Sequence, residues 1–307
     1  STEEAPSPQH ETSAVEHSPT AVAVPLVRSP VEPAGDFARG ESPSWIVKGF
    51  IPRAELVVVY GDSASGKSFL CLDVMAAIAR GISWRGLRTK KGRVIYIAAE
   101  GGGGFRKRLI AYSIHHGVEL DTIDLGIINA APNFLQKTDA VDVAKAIVGT
   151  TGRADVVVVD TFAQVTPGAN ENSAEDIGKA IAHCKGIHRA TGAVVILVHH
   201  SGKDSSKGSR GWSGLRAAAD AEIEVVRTVA GRYARVSKQK DGDDRGEWGF
   251  DLEVVPIGVD EDGDVVGPGG PDCRLDPCPG QRIVHLAAHG RTRTSGSSTV
   301  IMNLSRT

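Results

Sequence analysis

Eight consecutive residues, Gly61-Asp62-Ser63-Ala64-Ser65-Gly66-Lys67-Ser68, have the types and spacing to hold a polyphosphate. They fit G-x-x-x-x-G-K-[ST], in which backbone N–H groups wrap an anion, the lysine reaches the β- and γ-phosphates and the hydroxyl binds Mg²⁺. Phe69 completes the nucleotide-binding run. Two carboxylates are the next candidates. Glu100 could take a proton from water attacking a γ-phosphate. Asp160 could hold Mg²⁺ directly or through water. A histidine of the pair His199-His200 could donate a hydrogen bond to the γ-phosphate and report its loss. Adjacent strand residues point to opposite faces, so the pair does not suggest one shared metal.

These groups need elements that bring them to one place. Glu55 to Tyr60 is an apolar, β-branched run that reads as a buried strand before the loop. Phe69 to Arg80, closed by Gly81, reads as the helix after it. Further buried strands are expected at Arg93–Ala99, ending in Glu100, at Asp155–Thr161, with Asp160 at its end, and at Ala193–Val198, ending in the histidines. The C-terminal tips of such strands are where α/β sheets place their ligands. Gly101 to Gly104 would let the backbone turn tightly and pass close to a ligand. Helices are expected at Phe105–His116, Thr138–Val148, from a Ser173 cap to about Ala190, and at Ser213–Ala219. Leu125–Ile128 reads as a short strand, Asp220–Val226 and Tyr233–Ser237 as later strands, and Trp248–Val255 alternates like an edge strand. The lead-in Trp45–Pro52 could line a base or simply pack, and packing is the commoner role for such residues.

Several features have two readings. Ser201 to Arg210 carries Lys203, Lys207 and Arg210 among Ser and Gly, which suits a nucleic-acid backbone or an ordinary solvated loop. Thr166 to Glu175 reads as a long polar surface loop. Lys238 and Lys240 could reach a neighbouring subunit's nucleotide or form a charged hairpin. Cys273, Cys278, His285 and His289 have zinc-binding types, but their middle spacing is short for a finger.

The chain of 307 residues is 41% hydrophobic, enough for one large core, and its formal charge of −2 argues against a wholesale basic coat for nucleic acid or anionic membrane while leaving room for a local basic channel. No apolar run approaches a membrane span, and two of the four cysteines fall in expected helices, so reduced thiols and a cytoplasmic setting are expected. Residues 1–43, rich in Pro, Ser and Glu, read as a disordered tail, and 259–307 as a Gly/Pro-rich C-terminal extension, partly disordered. Between them, 44–258 reads as one ATPase domain.

The order of these parts resembles the RecA-like AAA ATPases related to the plasmid-type hexameric replicative helicase RepA. Besides the phosphate loop, the resemblance rests on Glu100, Arg108-Leu109, Asp160, His199-His200-Ser201-Gly202-Lys203, Arg210-Gly211-Trp212-Ser213 and Val236-Ser237-Lys238. It implies an α/β P-loop fold with a RecA-like core, a mostly parallel central sheet flanked by helices and late antiparallel strands at one edge. It also implies ATP and Mg²⁺ as ligands, Glu100 as catalytic base, and His200 as γ-phosphate sensor. Lys238 or Lys240 stands where the family presents a cation to the neighbouring subunit. The implied assembly is a homohexamer on single-stranded DNA, working as a helicase in replication of a phage, plasmid or mobile element. A primase, loader or initiator would be a separate protein. A recombination mediator that unwinds nothing, or an ATP-gated DNA-binding assembly protein with little turnover, shares the same parts.

Overall fold

A computed structural model of the protein describes residues 32–39, 44–170, 173–200, 210–229, 231–240, 242, 246–257 and 283–287, with 210–213 and 283–287 as backbone only. The chain divides into two compact units, Ser1–Ser42 and Pro43–Thr307. In the first, one short helix, α1 (Ala34–Ala38), is described; Arg39 pairs with Asp36 beside it and Phe37 is exposed.

The second unit opens with a two-stranded antiparallel ribbon, β1 (Trp45–Val47) and β2 (Ile51–Pro52). The chain then runs through β3 (Leu56–Gly61), α2 (Lys67–Arg80), β4 (Val94–Ala98), α3 (Gly102–His116), β5 (Leu125–Ile128) and α4 (Lys137–Thr151). It continues through β6 (Val156–Asp160), α5 (Ala174–Thr191), β7 (Val194–His200), α6 (Arg210–Ala218), β8 (Ala221–Thr228), β9 (Gly231–Gln239), β10 (Glu247–Val255) and β11 (Ile283–Ala287). One nine-stranded sheet has the order β11-β10-β9-β8-β3-β7-β6-β4-β5. The pairs from β5 to β8 are parallel, and those joining β8, β9, β10 and β11 are antiparallel.

The central strands are nearly continuous Val, Ile and Leu because helices cover both faces and nearly every side chain is buried. Period-two alternation assigns them. Val57, Val59, Tyr96, Val158 and Val198 enter the core that holds α2 and α3. Leu56, Val58, Ile97, Val159 and Leu197 enter the core that holds α4 and α5. The Ser173 hydroxyl accepts from the Asp176 N–H and caps α5, as expected.

Two expectations change and a third, the packing of the lead-in, is met. The glycine run is not a free turn: Gly102 to Gly104 form the first turn of α3, after Gly101. A β-carbon at Gly102 would lie 2.1 Å from Asn129 Oδ1, so close packing against the end of β5, rather than ligand approach, requires glycine there. The Trp248 strand is not an edge, because β11 pairs along its outer side. The lead-in packs: Phe50 stacks on Trp84 at 4.6 Å and meets Trp248 edge-on at 4.8 Å. Half-buried Trp45 lies by Gly242, past the end of β9 that pairs with the start of β8, away from the loop that follows β3.

Candidate nucleotide-binding site

Strand register gathers the chemistry at one end of the sheet. Gly61 pairs with His200 across β3 and β7, and Ala98 pairs with Asp160 across β4 and β6. Glu100 follows β4 by two residues, so loop, base candidate, acid and histidine emerge side by side.

The phosphate loop is built by its glycines. Gly66 caps α2 at φ 104°, with no side-chain hydrogen bond to the helix N-terminus. First-turn N–H groups are thereby left to an external anion, in the field of the helix dipole. Gly61, at φ 153°, sits where a β-carbon would lie 2.2 Å from the Val225 carbonyl oxygen. Ser65 is fully buried, and its Oγ has no hydrogen-bond partner.

Lys67 lies inside this loop. Its Nζ donates to Gly61 O at 2.9 Å and Asp62 O at 2.7 Å, and stands 3.2 Å from His200 Nδ1. Burial pulls the lysine pKa down, against the pull of Asp160 and Glu100 upward. An ammonium has only protons to give, so His200 Nδ1 is the acceptor and Nε2 carries the ring proton. That Nε2 is 3.3 Å from Glu100 Oε1, and the Thr161 hydroxyl donates to the same oxygen at 3.0 Å. Lys67, His200, Glu100 and Thr161 therefore form one hydrogen-bonded chain. Both contacts go to Oε1, which leaves Oε2 for a water proton. Sequence reasoning assigns no role to Thr161, next to Asp160, since a lone threonine after a strand carries no motif.

His199 points the other way, edge-on to Phe162 at 6.0 Å. Burial, then the neighbouring His200 and Lys67, lowers its pKa to about 4, so it is neutral. The pair splits across the sheet as strand alternation predicts.

Asp160 is 3% exposed, and its Oδ2 accepts from the Tyr96 hydroxyl at 2.6 Å. Burial raises its pKa, opposed by the hydroxyls of Tyr96 and Ser68. Oδ1 has no hydrogen-bond partner. A buried carboxylate oxygen left unmatched beside a serine hydroxyl is a hard-oxygen donor set that fits Mg²⁺. In the sequence Tyr96 reads only as part of a buried strand, and its hydroxyl is the partner that pattern reasoning misses.

Phe69 is half-buried beneath Arg108, whose guanidinium carbon lies 5.0 Å from the ring centre. Lys203 and Lys207 lie outside the described residues; Arg210 opens α6, with its backbone alone described. Cys273, Cys278 and His289 also lie outside, and His285 is a backbone position of β11. Among the described residues no His, Cys, Asp and Glu cluster could hold a metal by itself. No described helix is long and apolar enough to cross a membrane.

Lys238 and Lys240 are at the other end of the strands. Lys238 pairs with Glu222, which is level with Val58 of β3, about 10 Å back from Gly61 at three residues' rise. Lys238 Nζ donates to the carbonyls of Arg216 and Ala219, the latter at 2.7 Å, and Lys240 Nζ donates to Asp220 Oδ1 at 2.6 Å. Neither reaches its own protomer's loop.

Comparison with known proteins accords with this geometry. The AAA domain family matches residues 23–206, more than half of the chain. Protein RecA of a Nitratiruptor species is 28% identical over 121 residues, covering 39% of this chain and 29% of that protein. The matched part thus spans under a third of that relative's length. The crystal structure of the RadB recombinase covers 64% of this chain and 86% of its own at 18% identity, with a TM-score of 0.48. A lysine-filled loop between β3 and α2, facing two strand-end acids within a matched family region, leads to one assignment: the chain belongs to the AAA domain family of RecA-like P-loop ATPases.

Proposed function

We propose that the chain is an Mg²⁺-dependent ATPase that moves along single-stranded DNA and separates strands, in the manner of RepA-like replicative helicases. The observation that carries the hydrolytic part is the chain of contacts from Lys67 through His200 to Glu100, beside the unmatched oxygen of Asp160.

In this reading the loop N–H groups and Lys67 bind the β- and γ-phosphates, exchanging the Gly61 and Asp62 carbonyls for phosphate oxygens. Glu100 Oε2 accepts a proton as water oxygen bonds to the γ-phosphorus. The bond from that phosphorus to the bridging oxygen breaks, and ADP and phosphate result. Thr161 fixes the carboxylate's orientation, and His200 holds it until a triphosphate arrives. Ser68 and Asp160 would hold Mg²⁺, which when bound would neutralise charge on the phosphates. In this reading His200 Nε2–H then turns from Glu100 to the γ-phosphate as its sensor. Lys238 and Lys240 act on a neighbour's site within a homohexamer. A lysine gives a point charge rather than a fork, so it aids the neighbour less than an arginine would. Lys203, Lys207 and Arg210, together with residues 166–173, would contact single-stranded DNA in this reading. The domain bounds that accompany this reading are 1–43 as tail, 44–258 as ATPase and 259–307 as an extension that lends β11 to the same sheet.

A second reading, a recombination-type ATPase that unwinds nothing, draws support from the sequence likeness to Protein RecA. The test is ATP turnover with and without single-stranded DNA, alongside unwinding of a forked duplex. DNA-stimulated turnover with unwinding supports the helicase, and stimulation without unwinding supports the mediator. Binding without turnover supports an ATP-gated assembly protein. Glu100→Gln should cut turnover about 10²- to 10⁴-fold while ADP binding persists. Unchanged turnover in that variant would remove Glu100 from the mechanism.

A further inference from the structure

The late strands bring a pair of arginines towards the phosphate loop. Ile223 and Val225 of β8, with Ala234 and Val236 of β9, enter the core on the α2 side of the sheet. Two residues further along each strand, on that same face by alternation, come Arg227 and Arg232. They are directly opposite each other in the antiparallel register. A β-carbon at Gly66 would lie 3.1 Å from Phe250 Cε2 and 3.3 Å from Arg232 Cδ, so ring and arginine stem close against the loop's last glycine. Arg232 Nε is buried with no hydrogen-bond partner. Burial and the charge of Arg227 both lower the Arg232 pKa, with Asp251 opposing.

That arrangement is unfavourable without an anion. Like charges placed opposite one another on paired strands destabilise a sheet. A buried guanidinium N–H without an acceptor adds to the cost. A phosphate beside Gly66 would offset both, and a guanidinium is the side chain suited to grip one.

We propose that Arg232, supported by Arg227, binds the phosphates of a nucleoside diphosphate held by the phosphate loop of the same protomer. The assignment rests on the nucleotide-binding reading above and extends it to a hairpin outside the loop, α2 and the strand-end acids. Arg232 contacts the nucleotide, and Arg227 acts as a positioning residue that adds positive potential.

The test is titration of the full chain with a fluorescent ADP analogue, at fixed low salt. Arg232→Met keeps the stem against Phe250 and removes the donors. It should raise Kd about ten- to a hundred-fold, the loss expected for a charge-assisted hydrogen bond. Arg232→Lys should fall between Met and wild type, and Arg227→Ala should raise Kd a few-fold. The nucleotide-free melting temperature of Arg232→Met should stay level or rise, because the like-charge contact is gone, while its upward shift on adding ADP shrinks. A purely structural role would lower the nucleotide-free value instead. Should Arg232→Met fail to fold, Arg232→Lys and Arg227→Ala carry the same comparison. Wild-type binding with unaltered affinity in the variants overturns this assignment alone. Wild-type chain that binds no ADP overturns the nucleotide reading, and this assignment with it.

Discussion

Replacing Tyr96 with Phe isolates the cost of keeping Asp160 charged. The ring itself stays, stacked on Phe105 at 4.3 Å, so packing is conserved. What leaves is one hydroxyl donating to Asp160 Oδ2 at 2.6 Å, next to an Oδ1 that already lacks a partner. A hydrogen bond to a buried charged group is worth roughly 1.5–3 kcal/mol, so the variant should lose about 2 kcal/mol at neutral pH. The pH dependence gives the sharper test. Burial raises the folded-state pKa of Asp160 above its ordinary value. The native state then holds an extra proton in the window above the ordinary carboxylate pKa, and stability falls as pH rises through it. Removing the Tyr96 hydroxyl raises that folded pKa further and steepens the fall. Near the ordinary carboxylate pKa the group becomes neutral, and the loss should shrink to about 1 kcal/mol, the worth of a neutral hydrogen bond. Urea midpoints of wild type and Tyr96→Phe, measured at about pH 7.5 and about pH 4, compare the two directly. Equal losses at both values, or none at neutral pH, would refute the account of Asp160 as a buried charge in need of donors.

Two further outcomes follow from the geometry. Gly61→Ala puts a methyl 2.2 Å from the Val225 carbonyl at a φ of 153°, so β3 and β8 must separate; thermal unfolding should register a loss of about 2–4 kcal/mol. His199 has its pKa lowered to about 4. The unfolded chain therefore binds the extra proton between about pH 6.5 and 4, and stability drops by about 3 kcal/mol as pH falls through that window. His199→Gln should flatten this slope in a urea titration series.

The parallel half of the fold is legible in the sequence because its strands are continuous apolar runs, each ending in a residue that cannot be buried cheaply. Glu100, Asp160 and His200 are readable for that reason, and strand alternation alone separates His199 from His200. The phosphate loop is readable because few backbones other than a strand–loop–helix use that glycine and lysine spacing. Less visible are residues whose importance lies in a partner far along the chain. The Tyr96 hydroxyl meets Asp160 across 64 positions, and Thr161 meets Glu100 across 61. Arg232 is adjacent to the loop only because β9 and β10 fold back beside α2. The glycines at 102–104 mislead because a permissive residue signals close approach as readily as a turn, and local sequence does not distinguish them.

The link from Lys67 through one imidazole to Glu100 has a consequence for fuel economy. While the ammonium leans on His200, the ring steadies the carboxylate in a resting pose. A triphosphate that drew Lys67 away would loosen the same ring and hand the carboxylate to incoming water. On the proposed reading an idle protomer keeps its base engaged, and loading and arming become a single event.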